Sequence, residues 1–195
     1  MPGNISQLSL EFFVDDGRFA NSRQPAVIYG QALPAEDVSA EALEGLFDAN
    51  GITDTTSDAV LGTGLVVLFT VPGAFTPTCH VNHLPGFVAN ESKLRAAGVT
   101  RIVCASVNDQ HVMKAWAESS DALGKIDFIA DGNAELARAL GLDRDFSGGG
   151  MGTRLARSAM IIRDGVVDSV FVEDAPGVSG SGAPAILMAL EATTN

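Results

Sequence analysis

The sequence predicts an α/β fold: a mixed central sheet with helices on both faces, carrying an N-terminal hairpin extension and closed by an antiparallel hairpin. Three observations lead there. From Leu65 onward, short apolar runs alternate with longer segments of helical period, the pattern of parallel strands joined by crossover helices. Glycines stand just past two of those helical segments, at Gly98 and Gly141, where a left-handed residue ends a helix without steric cost. Asp164-Gly165 separates two apolar runs, the signal of a two-residue type I′ hairpin. With 195 residues, 46% of them hydrophobic, the chain is long enough for one α/β domain with a full-sized core. It is read as a single domain, with residues 1–55 as an N-terminal extension.

Within that extension, Leu8, Leu10, Phe12 and Val14 alternate as in a half-buried strand, Asp15-Asp16-Gly17 is a turn, and Ala26–Tyr29 returns as the hairpin partner. Ser39–Asp48 reads as a short acidic helix, with Ser39 as cap and Glu41 and Glu44 near its positive end. Thr53–Gly64 reads as a loop. The alternating part opens with a strand over 65–70 and a helix from about Thr78 to Ala97. A strand over Arg101–Ser106 leads to a helix over Asp109–Ser119, and a strand over Ile126–Ala130 leads to a helix over Asn133–Leu140. Strands over Leu155–Arg163 and Val166–Val172 flank the hairpin turn, and a last helix covers Ala183–Ala192.

Charge and composition exclude several function classes. The net charge is −12, and the 12 basic residues are scattered, which argues against nucleic acid and anionic membranes as partners. No apolar run approaches the roughly 20 residues of a membrane span. The N-terminus has no basic region followed by a long apolar stretch, so no secretory signal is expected. Two cysteines in a chain this long do not make a disulfide scaffold. The expected location is the cytoplasm, a reducing compartment.

One of those cysteines is placed for chemistry. Cys79 follows the apolar run Leu65–Phe69 and the turn Val71-Pro-Gly-Ala-Phe-Thr-Pro-Thr78, so it falls in the first turn of a new helix. Free N–H groups and the positive end of the helix dipole favour an anion there. The rim at the C-terminal ends of parallel strands is also where ligands gather in open α/β sheets. A reactive thiol there requires a donor and a cation. Thr76 offers a hydroxyl, and Arg154 and Arg157 each offer a permanent charge. Pro72 and Pro77 stiffen the turn and remove two donors.

The residues Pro72-Gly-Ala-Phe-Thr76-Pro-Thr-Cys79 contain the Pro-x3-Thr-x2-Cys signature of peroxiredoxins. The longer run to Phe87, with His83-Leu-Pro-Gly-Phe, resembles the type II, peroxiredoxin-5-like branch. So do Ser106-Val-Asn-Asp109, Val112-Met-Lys-Ala-Trp116 and Gly150-Met-Gly-Thr-Arg-Leu-Ala-Arg157. The resemblance spans roughly 65–190. It implies a thioredoxin-like fold and reduction of hydrogen peroxide or organic hydroperoxides, with no cofactor and no metal. By position, Cys79 is then the peroxidatic nucleophile, Thr76 the hydrogen-bond partner of thiolate and peroxide, and Arg157 the charge that stabilises both. Pro72 shields the sulfur, and backbone amides near Gly73 and Cys79 hold the peroxide oxygens.

Acidity alone does not make such a thiol fast. Moving a thiol from about 8.5 to about 6 is worth roughly 3.4 kcal/mol and raises its thiolate fraction at pH 7 only about thirtyfold. Nucleophilicity meanwhile falls with pKa along a Brønsted slope of about 0.4–0.5. The larger gain must come from donors aimed at the lengthening O–O bond.

Attack on peroxide leaves a sulfenic acid that must be reduced. The segment Gly177-Val-Ser-Gly-Ser-Gly-Ala-Pro184, where many type II relatives carry a resolving cysteine, has none. Cys104 lies two residues before the end of its strand, roughly 7 Å below the rim at about 3.3 Å per residue, and reaches Cys79 only after local unwinding. A one-cysteine cycle is therefore expected, reset by an external thiol such as glutathione with glutaredoxin or else thioredoxin, and the resemblance implies a homodimer. Two other readings stay open: a redox-regulated binding protein or chaperone of slow turnover, and a metal site using Cys79, His80 and His83 on one helical turn. His83 is otherwise a hydrogen-bonding partner at the edge of the site, His111 a surface residue, and Trp116 and Met113 packing residues.

Overall fold

The computed structural model describes residues 43–48, 51–55 and 57–192, and side chains from residue 59 to residue 192. In chain order the strands are β1 Leu43–Asp48, β2 Gly51–Thr55, β3 Leu65–Val71, β4 Arg101–Ser106, β5 Asp127–Ala130, β6 Asp143–Asp145, β7 Thr153–Leu155, β8 Ser158–Arg163 and β9 Val166–Val172. The helices are α1 Ser57–Leu61, α2 Leu84–Ala96, α3 Gln110–Ser119, α4 Glu135–Ala139 and α5 Ala183–Ala192, with a π-helical turn Cys79–His83 leading into α2. Seven strands form one sheet in the order β2-β1-β5-β4-β3-β8-β9, and β6 and β7 form a separate ribbon. The pairs β3–β4 and β4–β5 are parallel, whereas β1–β5, β3–β8 and β8–β9 are antiparallel.

The strand β3 is central because its side chains are apolar in both directions, and Val66 through Val71 are all buried. Alternate residues go to opposite faces. Val67, Phe69 and Val71 join Leu84, Phe87 and Leu94 of α2, Met113 and Trp116 of α3, and Ile186 and Leu190 of α5. Val66 and Leu68 pack with Val60 and Leu61 of α1 and Leu136 and Ala137 of α4. The mixed sheet with helices on both faces is thus present. Among the described residues no helix is long and apolar enough to cross a membrane.

The predicted stops are where they were expected. Gly141 has a φ of +63°, its N–H donates to Arg138 and the next N–H to Ala137, which satisfies the last carbonyls of α4. Asp164 and Gly165 have φ of 48° and 79°, both positive as a type I′ turn requires.

Several expectations are corrected. Leu43–Asp48, expected within an acidic helix over 39–48, is strand β1. Part of the expected loop over 53–64 is instead strand β2 and helix α1. The cause is tertiary: β1 pairs with the open edge of β5, Leu46 opposite Ile129 and Phe47 opposite Phe128, and pairing overrides a weak local helix preference. Strands β1 and β2, within the segment assigned to the extension, therefore supply the edge of the central sheet. The hairpin expected over Leu8–Tyr29 lies outside the described residues. The strand expected over 155–163 is two strands, β7 and β8, broken at Ala156-Arg157. That break leaves Arg157 outside the ladder.

Candidate active site

The site forms where β3 ends. The turn 72–76 carries the chain off the sheet, with Phe75 at a φ of 60°. Thr76 caps the helix that follows: its carbonyl accepts the first helical hydrogen bond from His80 N–H at 2.8 Å. Cys79 therefore sits in the first turn, whose N–H groups have no intrahelical acceptor. The turn Cys79–His83 is widened to π form, with the N–H of Leu84 reaching Cys79 O. Pro85 explains this, because it has no N–H to offer the carbonyl four residues back and its ring crowds that carbonyl.

Cys79 is fully buried. Arg157, released from the strand by the β7–β8 break, lays Nη2 3.4 Å from Cys79 Sγ. Its other amino group, Nη1, lies 3.1 Å from His83 Nδ1. A guanidinium can only donate, so Nδ1 accepts and the ring proton of neutral His83 is on Nε2. That nitrogen donates to Ser181 O at 3.0 Å. Burial, reinforced by the Arg157 charge, pushes the His83 pKa down to about 4, which keeps the ring neutral and able to accept. Phe69 and Phe87 flank the ring, with centroids 5.2 Å and 5.6 Å away. His83 is thus inside the site and not at its edge.

Thr76 lies in the same turn, but its hydroxyl donates to Gly73 O at 2.8 Å. Its proton is committed to the turn backbone and its lone pairs remain as acceptors. Gly73 sits in a tight space: a Cβ there would stand 3.0 Å from Thr76 Cγ2 and 3.3 Å from Met151 Cε, so both neighbours would have to give by a few tenths of an ångström. Pro72, half-buried, leads into it. Arg154 does not serve the sulfur. Its Nη1 donates to Val107 O at 2.7 Å and its Nε to Met151 O at 2.8 Å, tying the 146–152 loop to the rim. Position and charge alone left both arginines available; the resemblance pointed to Arg157, and the structure places Arg157, not Arg154, against the sulfur.

Cys104 is buried in the same apolar cluster as Cys79. Burial, and then the charge of Cys79, push its thiol well above the ordinary range, so it is a poor source of thiolate. Trp116 Nε1 donates to His80 Nδ1 at 2.9 Å. His80 thus spends one ring nitrogen on a packing contact, and among the described residues no cluster of three or more metal-ligating side chains occurs. His111 is exposed.

Four residues were missed. Asn108 Oδ1 accepts the Ala74 N–H at 2.9 Å and the Ser106 hydroxyl at 2.8 Å, anchoring the turn to β4. Glu173, Ser179 and Ser181 form a clasp behind His83. Asn108 lies inside a matched motif, which was a usable signal; the clasp had none beyond serines in a glycine-rich run.

A family model described as Redoxin matches residues 29–187. Peroxiredoxin-2E-2, chloroplastic, of Oryza sativa subsp. japonica is 45% identical over 170 residues, covering 84% of this chain and 72% of that protein. Peroxiredoxin-2B of Arabidopsis thaliana is 41% identical, covering 79% of this chain and 96% of that protein. The chain belongs to the Redoxin family, as a peroxiredoxin. Reduced Prx3 from Vibrio vulnificus in complex with hydrogen peroxide has the same fold, with a TM-score of 0.73, 42% identity, and 85% and 97% of the two chains covered. This peroxiredoxin, of the type II group, is a thiol-dependent peroxidase with the thioredoxin-like fold, taking a hydroperoxide as substrate and a thiol as reductant.

Proposed function

We propose that Cys79 is the peroxidatic nucleophile, that Arg157 and Thr76 act as catalytic residues beside it, and that Pro72 and Gly73 shape the turn that receives the peroxide. The observation that carries this reading is the Arg157 Nη2 to Cys79 Sγ approach of 3.4 Å inside a buried first helical turn. The Cys79 thiolate attacks one peroxide oxygen; the S–O bond forms as the O–O bond breaks. Two electrons pass from sulfur to the departing oxygen, which takes a proton and leaves as water or an alcohol, and sulfur is left as sulfenic acid. The guanidinium stabilises the thiolate before attack and the charge growing on the oxygens during it. Thr76, with lone pairs free, accepts from the peroxide O–H. The hydrogen peroxide complex of the Vibrio vulnificus relative supports that substrate.

The cycle uses one cysteine. An external thiol attacks the sulfenic acid, expelling water and forming a mixed disulfide, and a second thiol releases Cys79; glutathione with glutaredoxin or thioredoxin supplies them. The fully buried sulfur requires the first turn to open before a reductant reaches it. The same reading makes the chain one cytoplasmic domain that works as a homodimer, in keeping with two free cysteines and with exposed Phe75 and Val81 beside the site.

The test is stopped-flow oxidation by hydrogen peroxide followed by steady-state turnover with each reductant. Cys79→Ser is expected to abolish both, and Cys104→Ser to keep turnover within threefold. Loss of turnover in Cys104→Ser would overturn the one-cysteine cycle. Oxidation of the parent no faster than free cysteine would overturn the whole assignment.

A further inference from the structure

We infer that Glu173 is a positioning residue for Arg157, acting through a closed ring of hydrogen bonds that runs Glu173–Arg157–His83–Ser181 and back to Glu173. The inference rests on the function proposed above, and it concerns the end of β9 and the loop ahead of α5, which that function did not use. Each link is at least one hydrogen bond with a defined donor. The Glu173 N–H donates to Arg157 O at 3.0 Å. Arg157 Nη1 donates to His83 Nδ1 at 3.1 Å. His83 Nε2 donates to Ser181 O at 3.0 Å, and the Ser181 N–H donates to Glu173 Oε1 at 2.8 Å.

The carboxylate holds the loop with three further bonds. Ser179 N–H and Ser181 Oγ donate to Oε1 at 2.6 Å and 2.9 Å, and Ser179 Oγ donates to Oε2 at 2.6 Å. Partial burial pushes the Glu173 carboxyl up, but the donations from Ser179 and Ser181 outweigh it and bring the pKa to about 2. The carboxylate is therefore ionised wherever the enzyme works, and all four donors stay bound.

The ring matters because of what Ser181 O decides. A neutral imidazole has two tautomers, and an acceptor opposite Nε2 selects the form whose Nδ1 can accept. With Nδ1 accepting, Nη1 of Arg157 is fixed and the planar fork leaves Nη2 aimed at Cys79 Sγ. If Ser181 O moves away, the other tautomer presents an N–H to the guanidinium and the two repel. Glu173 also grips the Arg157 carbonyl, so it holds the arginine at its backbone and, through the loop and histidine, at its head.

The experiment compares Glu173→Ala and the milder Glu173→Gln with Arg157→Ala in the full chain. It reads the rate of Cys79 oxidation by hydrogen peroxide, the pH profile of Cys79 alkylation by iodoacetamide, and the His83 tautomer from ring 15N shifts. Glu173→Gln cannot accept with both terminal atoms, so it tests the clasp even if the alanine variant folds poorly. The expected result is a peroxide rate at least tenfold lower in both variants, an altered alkylation profile, and loss of the pure Nε2–H signature. A folded Glu173→Gln with the parent tautomer and a peroxide rate within twofold of the parent overturns the inference. If Arg157→Ala keeps the parent rate, the proposed function falls, and the inference with it.

Discussion

At the scale of the residue, one guanidinium is divided between two tasks. Arg157 spends Nη1 on His83 and Nη2 on the sulfur, which only a planar fork with donors at fixed spacing can do. A lysine in its place keeps the charge but has a single point of contact on a flexible stem. Arg157→Lys is therefore expected to oxidise at least tenfold more slowly with hydrogen peroxide, although a cation still stands near Cys79. Arg157→Ala is expected to lose more rate than any change in its thiolate population accounts for. The check is the second-order oxidation rate across pH, set against thiolate absorbance in the same variants. If rate and thiolate population fall together in Arg157→Ala, the guanidinium only ionises the thiol and the argument for transition-state stabilisation fails.

At the scale of the element, the site depends on a few anchored ends. Asp109 caps α3 by accepting the N–H groups of His111 and Val112 at 2.9 Å and 3.0 Å, and α3 carries the Trp116 that touches His80. Losing such a cap costs about 1 kcal/mol. Asp109→Ala is expected to lower stability by that amount in urea unfolding while the peroxide rate changes less than threefold, because Trp116 is held by the core it packs in. A tenfold rate loss would mean that α3 orders the reactive turn. The elements legible in the sequence are those that carry their own start and stop. The expected bounds Arg101–Ser106, Val166–Val172 and Ala183–Ala192 coincide with β4, β9 and α5. By contrast, β1 and β2 exist because β5 offers an edge, and no local pattern in Leu43–Asp48 reports a partner that far along the chain. The site divides the same way. Cys79 and Arg157 sit in recognisable motifs, and the structure brings them together. The bond from His83 to Ser181 joins residues 98 apart, and Ser181 lies in a run whose composition reads as an ordinary turn.

At the scale of the molecule, two buried ionisable groups oppose each other in acid. His83, inside the ring, falls from its ordinary 6.5 to about 4. Asp131, beneath α4, accepts the N–H groups of Leu136 and Ala137 at 3.1 Å and 2.8 Å. Burial outweighs those donations and pushes its pKa from 3.8 up to about 6. Between pH 4 and 6.5 the unfolded chain holds more protons at His83 than the folded one. Its contribution is complete above 6.5 and is lost as pH falls through 4. For Asp131 the folded state holds more protons, so its contribution is complete below 3.8 and is lost as pH rises through 6. Each span corresponds to about 3 kcal/mol, with opposite signs over nearly the same interval, so together they leave little slope between pH 4 and 6. Removing either group uncovers the other. Relative to the parent, Asp131→Asn is expected to gain stability steadily as pH rises from 4 to 6, and His83→Asn to lose it over the same range. Denaturant unfolding at pH 4, 5, 6 and 7 reads both differences, and taking each against the parent removes the common contribution of the acidic surface. Should the two variants instead parallel the parent at every pH, neither His83 nor Asp131 changes its protonation on folding. The neutral accepting imidazole on which the Arg157 geometry rests would then hold only above about pH 6.5, and not down to pH 4.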